Sequence, residues 1–141
     1  METTITASST ERTSPTVWTP ARQAFEILHW GFVAAPVLAG VDKFAHLLTN
    51  WDAYLAPPIA SMLGGSAHGF MLVVGVVEVI AGLLVALRPR IGAYVVAAWL
   101  GGIIVNLLIG GHFLDVALRD FGLCLGALAL ARLSQVYDPA K

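Results

Sequence analysis

Long apolar runs separated by short polar breaks organise this chain. Residues 68–87, HGFMLVVGVVEVIAGLLVAL, hold a single formal charge, Glu78, near the middle. About 20 helical residues cross a hydrocarbon core of ~30 Å, so this run predicts a membrane-spanning helix. Residues 23–41, 91–109 and 114–133 repeat the pattern, giving four predicted spans. Pro36 should kink the first, a defect that neighbouring helices accommodate. The segment 42–65 is too polar to span. Within it Phe44, Leu47, Leu48, Trp51 and Leu55 recur at helical spacing, which with Tyr54 predicts an interfacial helix ended by Pro57-Pro58. Gly64-Gly65, Arg88-Pro89-Arg90 and Gly110-Gly111-His112 read as turns. The expected fold is all-α: an integral membrane four-helix bundle with an interfacial helix between spans one and two. Residues 1–21 read as a flexible polar tail without signal-peptide character, with Trp18 as an interfacial anchor. Residues 22–134 form the membrane domain and 135–141 a short tail.

Charge then orients the spans. Arg12, Arg22, Arg88, Arg90, Arg132 and Lys141 fall on the side of the termini, against Lys43 and Arg119 on the other. Basic residues favour the cytoplasm, so both termini are expected there. The apolar share is 57%, charged residues make up 12%, and the net charge is −1. A soluble domain carries about twice that charged share, and the balance argues against a nucleic-acid surface. The lone Cys124 excludes dithiol chemistry within the chain and reads as a packing residue.

Against this background the polar residues inside the spans stand out. An ionised carboxylate at the depth of Glu78 costs roughly 2.5 kcal/mol or more unless it is paired, protonated or wetted. Lys43, Arg119 and Asp120 are the groups that can join it, either as a ligand or proton-path cluster or as self-neutralising pairs that fix helix register. Asp115 and Arg119, four apart, share a helix face and can pair, while Asp120 points about 100° away and needs another partner such as Lys43 or a histidine. Glu26 and His29 are expected to pair at the membrane surface. His46, His68 and His112 fall on one side and have the chemistry for a haem or metal, although no ligand-type spacing supports it; co-location without ligation is the plainer reading. Gly65 with Gly69 and Gly122 with Gly126 have the spacing of close helix–helix packing, within the chain or between chains. No nucleophile motif or phosphate-binding glycine loop occurs, so nothing indicates a self-contained enzyme.

Three stretches together resemble the DoxX-like family of small bacterial four-helix membrane proteins. They are Leu38-Ala-Gly-Val-Asp-Lys-Phe44, Val77-Glu-Val-Ile-Ala-Gly-Leu-Leu84, and Ala117-Leu-Arg-Asp-Phe-Gly-Leu123 followed by Gly126-Ala-Leu-Ala-Leu. The resemblance implies a multi-pass protein of the bacterial cytoplasmic (inner) membrane. It also implies a role as accessory subunit of a respiratory or quinone-linked oxidoreductase, beside larger membrane subunits or further copies of itself. Quinone is the ligand that reading admits, and no intrinsic cofactor is expected. A structural or assembly protein without redox chemistry is the alternative, and a haem-binding, cytochrome-like anchor the lesser one.

Overall fold

The computed structural model describes residues 18–138. The structure is helical throughout, with no strand among the described residues. Helix α1 is Pro20–Ala45, α2 is Pro57–Leu63, α3 is Ala67–Leu87, α4 is Pro89–Gly110 and α5 is Leu114–Tyr137, with short 3-10 turns at Trp51–Tyr54 and Gly64–Ser66. Thr19 caps α1 by accepting from the Arg22 N–H, and Pro20 occupies a position where a missing N–H costs nothing. The chain stays helical on both sides of Pro36. Most of the polar N-terminal segment lies outside the described residues. Trp18 is described and exposed, with the Arg22 guanidinium 5.8 Å from its ring centre.

Three stretches are long and apolar enough to cross a membrane: Pro20–Ala45, Pro57–Leu87 and Pro89–Gly110. The fourth expected span, α5, is comparably long, but Asp115, Arg119, Asp120 and Arg132 set it apart. The expected interfacial helix takes another form. Helix α1 continues through Asp42 and Lys43 to Ala45 and stops where His46 turns left-handed (φ 53°). Pro57 and Pro58 then open α2 instead of ending a helix, because proline fits the first helical turn. Gly64, with φ +55°, makes the turn toward α3.

Helix α1 packs along α3, and α4 along α5. The α1–α3 approach is backbone to backbone. A Cβ on Gly40 would sit 2.5 Å from the Gly75 carbonyl oxygen, one on Gly75 2.8 Å from the Gly40 carbonyl, and one on Gly82 2.6 Å from Val37. At Gly65, Gly69 and Gly122, by contrast, a Cβ meets nothing within 4 Å, and at Gly126 it meets only the Phe32 ring. Close α1–α3 packing therefore runs through Gly40, Gly75 and Gly82, while Gly92 closes α4 on α3, its Cβ position 2.5 Å from the Val85 backbone.

Burial is uneven along the helices. Phe25, Phe32, Ala81, Val85, Ala93, Ala127, Leu130 and Ala131 belong to a core at the end that carries the start of α1, the α3–α4 turn and the close of α5. Toward the other end, α4 buries nothing between Ala97 and Leu107, and α5 nothing between Asp120 and Ala127. Small residues close the first half tightly. In the second half the α1–α3 pair, still closed at Gly40 and Gly75, splays from the α4–α5 pair.

Candidate functional site

The splayed half encloses a cleft of about 1250 Å³. All the long helices line it, mainly with apolar side chains, and so do Leu48, Trp51, Tyr54 and Leu55 of the strap between α1 and α2. Gly31 and Ala35 of α1 with Arg119 and Leu123 of α5, and Phe70 of α3 with Val95, Ala98 and Gly102 of α4, are lining residues that are also exposed, so the cleft opens sideways on both the α1–α5 and the α3–α4 sides.

Glu78 stands on its wall. In α3 the buried residues are Met71, Gly75, Glu78, Ala81, Gly82 and Val85, a single stripe at helical spacing, so the carboxylate is directed inward. The Lys43 ammonium meets it at 2.5 Å, with the two residues 3% and 7% exposed. The glycine contact makes this geometry attainable. Lys43 lies level with Gly75, whose Cβ would sit 3.1 Å from the Lys43 Cβ, so the close crossing of the glycines brings the lysine side chain within reach of Glu78 one turn further along α3.

A second interaction holds Lys43 from above. Its ammonium lies 3.9 Å from the centre of the Trp51 ring, a cation–π contact. Trp51 is placed there by Asp42. After the left-handed turn at His46, the N–H groups of Leu47 and Leu48 donate to the Asp42 carboxylate (2.9 and 3.1 Å), and the Trp51 indole N–H donates to its second oxygen at 2.7 Å. Asn106 of α4 ties down the far end of the strap. Its amide donates to the Tyr54 carbonyl at 2.8 Å and its oxygen accepts from the Ala56 N–H at 2.9 Å. Neither Asp42 nor Asn106 announces this role in the sequence, because both serve backbone groups whose position depends on the turn.

Arg119 and Asp120 line the same cleft. Asp120 is buried, while the Arg119 side chain is 69% exposed, and the two approach at 3.8 Å. The ion pair of Arg119 is thus with Asp120 and not with Asp115, because Arg119 turns toward the cleft rim. Lys43, Glu78, Arg119 and Asp120 share one cavity as two separate pairs.

The expected Glu26–His29 pair is absent. Glu26 meets Arg22 at 3.4 Å on the surface, and His29 is buried, stacked on Phe25, with Nε2 3.0 Å from the Val85 carbonyl. A carbonyl only accepts, so Nε2 carries the proton and the ring bridges α1 to α3. The other histidines divide. His46 and His68 stack with ring centres 5.5 Å apart and an interplanar angle of 23°, and His68 Nδ1 lies 2.7 Å from Asp52. Ring nitrogens lie in the ring plane, so stacked imidazoles do not aim them at a shared atom. His112 is exposed and lines a separate hollow of about 50 Å³ with Tyr54 and Phe113. Among the described residues no three His, Cys, Asp or Glu side chains are grouped to hold a metal ion. Cys124 spans α5 to α4, its thiol 3.4 Å from the Ala97 carbonyl, in keeping with a packing role.

No family model, curated protein or solved structure matches the chain. What it does must follow from the cleft, its two ion pairs and the strap that closes over them.

Proposed function

We propose that this chain is a small accessory subunit of a quinone-linked oxidoreductase complex in a bacterial cytoplasmic membrane. It is not a catalyst on its own. In this reading α5 is the fourth span and completes a four-helix bundle, and the Arg-rich end with both termini faces the cytoplasm. The resemblance to DoxX-like proteins noted in the sequence points the same way.

The observation that carries the reading is the sideways-opening cleft with the buried Lys43–Glu78 pair on its wall. Ligand sites are typically apolar concavities of about 300–1,000 Å³ with a few convergent polar groups, and this one exceeds that range. Its exposed rim meets lipid if the helices span. A molecule dissolved in the bilayer then reaches it without crossing water. Intramembrane charges kept at such a place are functional candidates.

Purification in mild detergent tests the proposal, with the co-eluting proteins identified by mass spectrometry. Recovery of larger oxidoreductase subunits in fixed ratio is the expected result. Recovery of the chain alone, from membranes in which respiratory complexes stay intact, contradicts it. The structural alternative has one observation in its favour, the mutual neutralisation of Lys43 and Glu78, which by itself fixes the α1–α3 register. Glu78→Gln separates the two: wherever the complex still assembles, a purely structural chain leaves its activity intact.

A further inference from the structure

Two charges near the start of α5 are left largely unanswered by the protein. Asp115, exposed in the first turn, has no ion-pair or hydrogen-bond partner among the described residues. The Arg119 side chain is 69% exposed, and its one ionic neighbour, Asp120, meets only Nε at 3.8 Å, beyond hydrogen-bond distance. A guanidinium offers five N–H donors, and none of them reaches an acceptor at hydrogen-bond distance among the described residues. The surface around it is apolar: Leu114, Leu118 and Phe121 are 55%, 72% and 53% exposed. With α5 as the fourth span these side chains meet lipid, and a cation set among them needs an anion.

Depth says which anion is at hand. Arg119 comes five residues after Leu114, the first residue of α5, or about 7.5 Å along the axis. A headgroup layer of roughly 5–7 Å gives way to hydrocarbon at that level, so lipid phosphates lie beside the guanidinium. Asp115 is one turn nearer the water, about 6 Å along the axis.

We propose that this face of α5 binds a phospholipid with an aminoethyl headgroup, its phosphate on Arg119 and its ammonium on Asp115. Guanidinium and phosphate match in a forked, bidentate geometry. The ammonium, joined to the phosphate by a two-carbon arm, reaches the carboxylate one turn above. One zwitterion thus answers both charges. Phosphatidylcholine has no N–H to give Asp115, and phosphatidylglycerol brings no cation, so both fit less well. Because Arg119 also lines the cleft, the chains of the bound lipid border its α1–α5 opening. The site rests on α5 being a span and on no redox role.

The full chain in detergent micelles is titrated with the three phospholipids, all carrying identical acyl chains, and lipid adducts are counted by native mass spectrometry. The wild type is expected to bind one phosphatidylethanolamine roughly three- to fivefold more tightly than either of the others, the worth of one exposed charge pair. Arg119→Leu should weaken binding of all three about tenfold. Asp115→Asn should abolish the preference and leave phosphatidylcholine binding unchanged. Both side chains are exposed, so neither change touches the packed core. Equal wild-type affinity for the three lipids, or a preference that survives Asp115→Asn, overturns the headgroup assignment. Undiminished binding by Arg119→Leu overturns the phosphate site. Membrane-impermeant labelling of single cysteines at positions 112 and 136, in a Cys124→Ala chain, isolates the premise. Labelling of both from one side overturns the span and the site with it; labelling from opposite sides without a lipid preference overturns the site alone.

Discussion

Lys43→Met strips the ammonium from a site where Glu78 is only 7% exposed and has no other ion-pair partner among the described residues. Breaking a buried pair from one side leaves an uncompensated charge and costs about 3–5 kcal/mol. The same substitution forfeits the contact with the Trp51 ring, where a desolvated cation is worth about 2 kcal/mol. Glu78→Leu strands Lys43 in turn, at a cost of about 3–5 kcal/mol offset in part by the ring that still covers it. The double variant strands neither group and lines the same space with apolar side chains. Such replacements of a whole pair are often neutral or stabilising. The two single losses should therefore fail to add, with a coupling energy of about 3 kcal/mol or more, well outside the ~0.3–0.5 kcal/mol typical of independent sites. Denaturant unfolding in mixed micelles, followed by loss of helical circular dichroism, measures all four corners of the cycle. Single variants as stable as wild type, or a double variant as unstable as the sum of the singles, would refute the claim that this pair is shut away from water.

Other consequences follow from particular contacts. Gly75→Ala places a methyl 2.8 Å from the Gly40 carbonyl, so the helices must part at a cost of about 1–3 kcal/mol, whereas Gly122→Ala meets open space and should stabilise α5 by up to ~1 kcal/mol. The same unfolding titration reads both, and equal effects would contradict the packing. Asp42→Asn puts an amide where a carboxylate oxygen accepts from Trp51, so the strap should loosen by about 1–3 kcal/mol. Hydrogen exchange at Leu47 and Leu48 should accelerate while exchange in the core half of α3 stays unchanged; protection retained at both residues would contradict the capping role. Asn106→Leu leaves the Ala56 N–H without its acceptor, and faster exchange there is expected, with no change at Leu47. Membrane-impermeant labelling of single cysteines should modify position 50 from the opposite side to position 88. Labelling of both from one side contradicts the four-span arrangement.

The long helices were legible because an apolar run of about 20 residues has few other ways to satisfy its backbone. Glu78 and Lys43 were legible as suspects for the same reason: charge in such a run needs a partner. The pairing among the four charges was not, since it depends on the α1–α3 crossing. That crossing rests on glycines whose signal is subtle. Gly75 and Gly82 are two turns apart on the face that carries Glu78, and this, more than the Gly-x-x-x-Gly pairs, was the available clue. The segment after α1 misled because Leu47 and Leu48 sit at helical spacing but outside any helix, exposed at 85% and 73%. A carboxylate capping two backbone N–H groups and an indole outweighs periodicity there. His29 and Glu26 were paired by their spacing, yet a carbonyl on α3 claims the histidine. That Arg119 turns away from Asp115 has no sequence signature at all. Only the fold reveals which charges go unanswered.

The cleft is proposed to hold a lipid-soluble molecule that enters sideways between the helices. Native mass spectrometry of the chain released gently from its own membrane tests this directly when wild type is compared with Ala35→Trp, which takes up cleft space from an exposed wall position. The expected result is one small neutral molecule retained per wild-type chain and none on the variant, with both proteins equally helical. Wild-type protein free of any such molecule, or a variant that keeps it undiminished, would contradict the account.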